Sequence, residues 1–333
     1  MEDNVMFQRR TLLGASLALP ALSAPALAQG GAQGGWRPSR PITLVVPFGA
    51  GSGTDAITRL LAQMLSAEMD GATITVENRA GANGTIAAMA VARAQPDGHT
   101  LLVTTNTPHA ANPWLLRRLD YDPIADFTPI SRLGNYAFWL VVHPDIPART
   151  LPEFIAHVRA NPGRITYASG NGSGIVAGAA IAKHAGVEMT HVPYRSVPPA
   201  LTDLLTNRVN CMVVDFAPSI AHVTEGRLRA LGVTSGQRSR LAPDVPTLAE
   251  GGMTGFEMLS WAALLGPARM PPEVTATLGA AMQRLGAKPE YRERLAQARF
   301  EGITSTPEEL GRFIVAQIAA WGEMIRSAGI EPE

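Results

Sequence analysis

The sequence predicts an α/β protein of two lobes, each a mostly parallel sheet flanked by helices. From residue 41 onward a short apolar run, a Gly- or Asn-rich turn and a helical apolar period follow one another repeatedly. That order is what parallel sheets covered on both faces require. The units also outnumber what one small sheet holds, and 333 residues with 46% hydrophobic and 17% charged are enough for about two domains with large cores.

The elements can be justified in chain order. Residues 42–46 (ITLVV) read as a buried strand and 49–53 as a turn. Thr54 or Asp55 then caps a helix whose apolar face is Ile57, Leu60, Leu61, Met64 and Leu65. Residues 74–76 form a second strand, 85–94 a helix and 101–105 a third strand, followed by a long polar loop over 106–128. The pattern resumes with strands at 139–142, 165–168, 190–193, 210–214 and 228–234, separated by helices at 152–160, 175–184 and 199–205. After the Pro-rich stretch 241–246 comes an apolar segment, 258–265. Three helical patterns close the chain at 272–285, 289–298 and 307–327, each with Pro at or near its start. The chain therefore crosses between lobes twice, and the C-terminal helices complete the first. The expected division is 40–134 with 236–333 for one lobe and 135–235 for the other. Two crossings make a hinge, and a hinge leaves a cleft.

Before the fold, residues 7–28 carry the basic pair Arg9-Arg10, an apolar run and small residues ending in Ala26-Leu27-Ala28. This is the order of an export signal cleaved after Ala28, and Thr11-Leu12-Leu13 behind the arginines suggests the twin-arginine route. Pro20 and Pro25 interrupt the run, which falls short of the ~20 residues a membrane span needs. Residues 29–39 read as a flexible tether.

Charge excludes some partners. Twenty-eight Lys+Arg balance 28 Asp+Glu, so the bulk field attracts neither nucleic acid nor an anionic membrane. Any anionic partner needs a local site. Cys211 is the single cysteine, which excludes an internal disulfide and a thiolate zinc site.

Candidate chemistry lies in Gly-rich turns between strand and helix: 47–55 (PFGAGSGTD), 80–85 (AGANGT) and 169–174 (SGNGSG). A helix start carries unpaired N–H groups and partial positive charge, and glycine lets a ligand approach the backbone. The same glycines also serve as plain tight turns. Two such turns in different lobes, at the carboxyl ends of strands, point to a cleft that receives an anion. The stretch Gly51-Ser-Gly53-Thr-Asp-Ala56 also fits G-x-G-x-x-A, with Glu77 about 20 residues on, which keeps an exported nicotinamide-dependent oxidoreductase as an alternative. A nucleophile elbow, a His-Glu-x-x-His motif and a P-loop lysine are all missing. Asp215 closes an apolar run and reads either as a helix cap or as an acceptor facing the cleft. Phe48, Trp139, Phe216 and Trp261 are candidates to wall the cleft, and His99 and His109 are loop candidates to line it.

Several motifs, in order, resemble the extracytoplasmic solute-binding proteins of tripartite tricarboxylate transporters, the Bug or TctC family. They are PFGAGSGTD (47–55), VENRAGANGTI (76–86), PDGHTLL (96–102), YDPIADFTPI (121–130), HVPYR (191–195), the strand end at Asp215, LGVTSGQRS (231–239), PDVPTLAEGG (243–252) and W-x-x-L-L-x-P-A from Trp261. The resemblance runs from about residue 41 to 325. It departs in having His99 where Tyr is usual, Ser196 where Gly is common and Asn207-Arg208 where Gly is frequent.

The resemblance implies a type II periplasmic binding-protein clamshell, without catalysis or cofactor. Such a protein is monomeric, works in the periplasm, and delivers a small carboxylate to permease subunits in the membrane. The carboxylate would be held by backbone N–H groups, hydroxyls and waters rather than by Arg. Carried over, the site comprises Phe48, Gly49, Gly51, Ser52 and Thr54 of the first turn, Thr105, Asn106 and Thr107 after the third strand, Ser169, Asn171, Gly172 and Ser173 of the second lobe's turn, and Asp215. A module that reports solute occupancy to a signalling partner would share this pocket.

Overall fold

A computed structural model describes residues 35–258 and 260–333. The expected export signal, 1–28, and residues 29–34 of the expected tether lie outside the described residues.

Two sheets organise the chain. The first contains β1 (Ile42–Val46), β2 (Ile74–Asn78), β3 (Thr100–Thr105), β4 (Phe127–Tyr136), β10 (Ser260–Pro267) and β11 (Phe300–Gly302), ordered β11-β4-β10-β3-β1-β2. The second contains β5 (Phe138–Val142), β6 (Thr166–Ser169), β7 (Thr190–Pro193), β8 (Cys211–Asp215) and β9 (Arg229–Val233), ordered β7-β6-β8-β5-β9. Helices α1 (Gly53–Glu68), α2 (Thr85–Ala92) and α3 (Asn112–Leu115) intervene in the first. Helices α4 (Leu151–Ala160), α5 (Gly172–Ala185), α6 (Val197–Leu205) and α7 (Phe216–Thr224) intervene in the second. The last three, α8 (Pro272–Ala287), α9 (Pro289–Gln297) and α10 (Pro307–Ala328), follow β10.

Successive strand residues point to opposite faces, and here both faces are buried. Ile42 and Leu44 of β1 join Ile57, Leu61 and Leu65 of α1 and Leu278 and Met282 of α8. Val45, the residue after Leu44, joins Ala87, Ala88 and Val91 of α2 on the other side. In β5, Trp139 and Val141 pack with Leu201 and Leu204 of α6, whereas Leu140 and Val142 meet Phe154 of α4 and Val176 of α5. Strands buried on both sides read as continuous apolar runs, which is why the sequence locates them so well.

Several expectations are corrected. Most strands of each sheet run one way, as expected, but the pairing is mixed: β1 pairs parallel with β2 and β3, and β6 with β7 and β8, whereas β10 runs antiparallel to β3 and β4, and β5 antiparallel to β8 and β9. The physical reason is the chain's passage between sheets. It leaves the first through β4, enters the second through β5 after Ala137 alone, and returns through β10. Strands β5 and β10 each arrive from the other sheet, so neither is delivered by a helical crossover within one sheet.

The stretch 106–128 is not simply a polar loop. Residues 107–111 form a π-helical turn running into α3, and Thr107, Pro108, His109, Ala110 and Ala111 are all buried. The tether is fastened at its end, where the Trp36 ring stands edge-on to His99 (5.4 Å between centroids) and the Ser39 N–H donates to His99 Nε2. Trp36 is the apolar anchor that a reading of the flanking Gly and Gln composition passes over.

Gly134 in β4 has φ +143°, and a Cβ there would overlap the Glu301 carbonyl oxygen and the Phe300 ring of β11. Gly134→Ala should therefore cost at least ~2 kcal/mol by combining strain with lost strand pairing. Urea unfolding measures it, and an unchanged midpoint would contradict the close approach.

Candidate functional site

The first turn is built around Asp55. Gly51 takes φ +80°, which permits the turn, and its N–H donates to Asp55 Oδ2 (3.0 Å). Ser52 is the N-cap of α1 and its Oγ accepts the Asp55 N–H (3.2 Å), so each end of the turn holds the other. Asn78 Nδ2 and the Arg59 guanidinium also bind the Asp55 carboxylate. Burial pushes that carboxyl up, but Arg59, the Gly51 N–H and Asn78 together hold it below the ordinary carboxylate value. Asp55 is thus the fastening of the turn.

The first N–H groups of a helix have no carbonyl to meet within it. With Ser52 accepting from Asp55, those of Gly53 and Thr54 remain. In α5 the N-cap Asn171 Oδ1 accepts from Gly174 (3.0 Å) and Thr107 Oγ1 accepts from Gly172 (3.0 Å), leaving Ser173. Two helix starts, one from each sheet, therefore border one cavity.

The loop after β3 joins the sheets there. Asn106 Nδ2 donates to Ser173 Oγ (3.0 Å), and Ser173 Oγ shares a hydrogen bond with Ser260 Oγ of β10 (2.8 Å). On the other side Tyr136, at the end of β4, donates to Thr54 Oγ1 (3.0 Å).

Of the expected site residues, Phe48, Ser52 and Thr54 line the cavity from the first turn and Thr105, Asn106 and Thr107 from the loop after β3. Asn171, Ser173 and Asp215 line it from the second sheet. Gly49, Gly51, Ser169 and Gly172 do not line it. The two turn glycines shape the loop, and a Cβ on Gly49 would crowd Ser196 Oγ (2.9 Å). Gly172 spends its N–H on Thr107. Ser169 Oγ bonds His191 Nε2 (2.6 Å), a hydroxyl–imidazole pair turned to a neighbouring strand.

Sequence reasoning missed Gly53, Tyr136, Phe138 and Val197, which complete the lining. Tyr136 and Phe138 flank the passage between sheets, and Gly53 lies inside the motif already singled out. Those were the available signals. Other candidates are elsewhere: His109 is fully buried against Phe127 and Tyr121, His99 against Trp36, Trp139 stacks on Phe216 (4.1 Å), and Trp261 donates to Gln317.

Among the described residues neither Arg, Lys nor His lines the cavity, and Asp215 is the one carboxyl that does. This residue occupies the N-cap position of α7 but makes no side-chain cap bond, so the cap reading fails. It is 4% exposed, and its Oδ2 has no hydrogen-bond partner among the described residues. Burial pushes the carboxyl up to about 7. No group of three His, Cys, Asp or Glu suited to a metal ion occurs among the described residues. The cavity can accordingly receive an anion through hydroxyls, amides and backbone N–H groups.

The model of the tripartite tricarboxylate transporter family receptor matches residues 57–330. The chain belongs to this receptor family. It is 36% identical over 321 residues to a Pseudomonas sp. strain P51 protein described as the UPF0065 protein in the tcbD-tcbE intergenic region, covering 96% of this chain and 94% of that one. Among solved structures it is similar to R. palustris Rpa4515 with adipate (32% identity, TM-score 0.86, 89% of this chain and 99% of that one). It is also similar to MatC from Rhodopseudomonas palustris with bound malate (30% identity, TM-score 0.79, 86% and 99%). The mixed α/β two-sheet fold is that of these binding proteins.

As a solute-binding receptor the chain holds its solute without transforming it, which overturns the oxidoreductase reading of residues 51–56. Glu77, the residue that reading sent to a ribose, pairs instead with Arg79 (2.7 Å).

The Asp215 carboxyl has an ordinary value near 3.8 in the unfolded chain and about 7 in the folded one. Between those values the native state keeps a proton that the unfolded state has lost, so this residue's contribution falls as pH rises and levels off above 7. His109, pushed down to about 3 by burial, adds an opposite slope that is common to wild type and variant. The Tm of Asp215→Asn minus that of wild type should rise from pH 4 to 7 and then plateau. A flat difference would contradict a desolvated carboxyl.

Proposed function

We propose that the receptor captures a small organic carboxylate in this cavity, outside the cytoplasm, and hands it to the permease subunits of a tripartite transporter. The observation that carries this is the convergence of two helix starts, α1 from the first sheet and α5 from the second, on one cavity that no cationic side chain lines among the described residues. The bound adipate and malate of its structural relatives support the same chemical class.

On this reading residues 40–134 with 236–333 move as one lobe and 135–235 as the other. A carboxylate bridging the two helix starts favours the closed arrangement because it gains contacts to both only there. The ligand-binding set is Phe48, Ser52, Thr54, Thr105, Asn106, Thr107, Asn171, Ser173 and Asp215, with Gly49, Gly51, Ser169 and Gly172 shaping the turns. Export through the signal at 1–28 brings the receptor to the periplasm.

A thermal-shift screen over mono-, di- and tricarboxylates, amino acids and aromatic acids tests the proposal. A ligand at 100 times its Kd adds about 2.7 kcal/mol, several degrees in Tm. No shift with any carboxylate would overturn it.

Gly53→Ala provides a second test, since a Cβ there would overlap Asp215 Oδ2. It should weaken the best carboxylate at least tenfold while the circular dichroism spectrum stays native. Unchanged affinity would remove the α1 start from the site.

A further inference from the structure

The hydroxyls that line the cavity share one polarity. A hydroxyl carries one proton and two lone pairs, and where it accepts from a protein donor its own proton is left to go elsewhere. Ser52 Oγ accepts from the Asp55 N–H (3.2 Å), Thr105 Oγ1 from the Thr107 N–H (3.3 Å) and Thr107 Oγ1 from the Gly172 N–H (3.0 Å). Among the described residues none of the three donates to a protein acceptor, so their protons are left for what the cavity holds.

Thr54 differs. Its Oγ1 accepts no backbone N–H, and its partner among the described residues is a second hydroxyl, that of Tyr136 (3.0 Å). Two hydroxyls can share a bond in either sense, but a phenol is the stronger acid and the weaker acceptor, so Tyr136 donates and Thr54 accepts. Desolvation pushes the phenol well above its ordinary value, which keeps that proton in place. The ring is clamped at the end of β4, edge-on to Phe138 of β5 (6.2 Å between centroids) and to Phe300 of β11 (4.7 Å). The donor therefore reaches Thr54 from a fixed position.

We infer that Tyr136 is a positioning residue for solute capture: by donating to Thr54 Oγ1 it turns the Thr54 proton into the cavity, so that all four hydroxyls present donors to the solute. Its effect passes through Thr54. Carboxylate oxygens only accept, so a wall of aligned protons binds them better than one whose hydroxyls turn freely. The inference rests on the carboxylate reading above and adds to it a residue outside the family's motifs, which stop at 130 and resume at 191.

A set of double-mutant cycles tests this by calorimetric titration, with the tightest of adipate, malate, succinate, glutamate and benzoate as the probe. Tyr136→Phe keeps the ring and removes the donor, and it should weaken the probe at least fivefold. The same penalty should appear in a Thr54→Ser background, which keeps the hydroxyl, and shrink to less than twofold in a Thr54→Val background, which lacks it. A Tyr136 that merely props the fold would cost the same in all three. Equal penalties in the three backgrounds overturn the inference and leave the carboxylate reading standing. So does a Tyr136→Phe protein that binds as tightly as wild type, whichever Thr54 variants fold. Binding of no carboxylate by the wild type overturns both.

Discussion

A helix that begins where a strand ends cannot satisfy its own first N–H groups, and two such ends brought together from two sheets make a site before any side chain is considered. The receptor is built around that condition. Ser52 and Asn171 each take one N–H in their helix, and Asp55, Asn78 and Arg59 pin the first turn so that the remaining donors keep their aim. Asn106 and Thr107 then tie the first sheet's loop to the start of α5. On the proposed reading the free N–H groups of the two helix starts receive the solute, and the side chains that set their aim, Ser52, Asn106, Thr107 and Asn171, line the same cavity.

This arrangement gives meaning to the neutral composition. A local site made from helix starts needs no net positive charge, since the fixed dipoles act at short range in a desolvated cavity. It also makes a single buried acid conspicuous. Asp215 lies where burial and the absence, among the described residues, of a lining cation meet, and its carboxyl is accordingly pushed up to about 7.

Much of this was legible in the sequence, and the exceptions have physical causes. Strands such as 42–46 and 139–142 stand out because both faces are buried, and the turn 47–55 because its glycines and hydroxyls cluster at a strand end. The antiparallel course of β5 and β10 was hidden, since an apolar run carries no direction. The helical turn at 107–111 was hidden as well, because Thr, Pro and His read as loop residues until Tyr121 and Phe127 are seen to enclose them. Tyr136 and Phe138 entered the cavity unannounced. Aromatic residues at a sheet crossing look the same in sequence whether they fill a core or face a ligand.

The central claim is that backbone donors from both sheets receive the solute together. Amide chemical shifts report it most directly: on adding a carboxylate that raises the Tm, the N–H resonances of Gly53 and Ser173 should move together and saturate at one ligand concentration. Binding that leaves both resonances in place, or moves only one of them, would contradict the account.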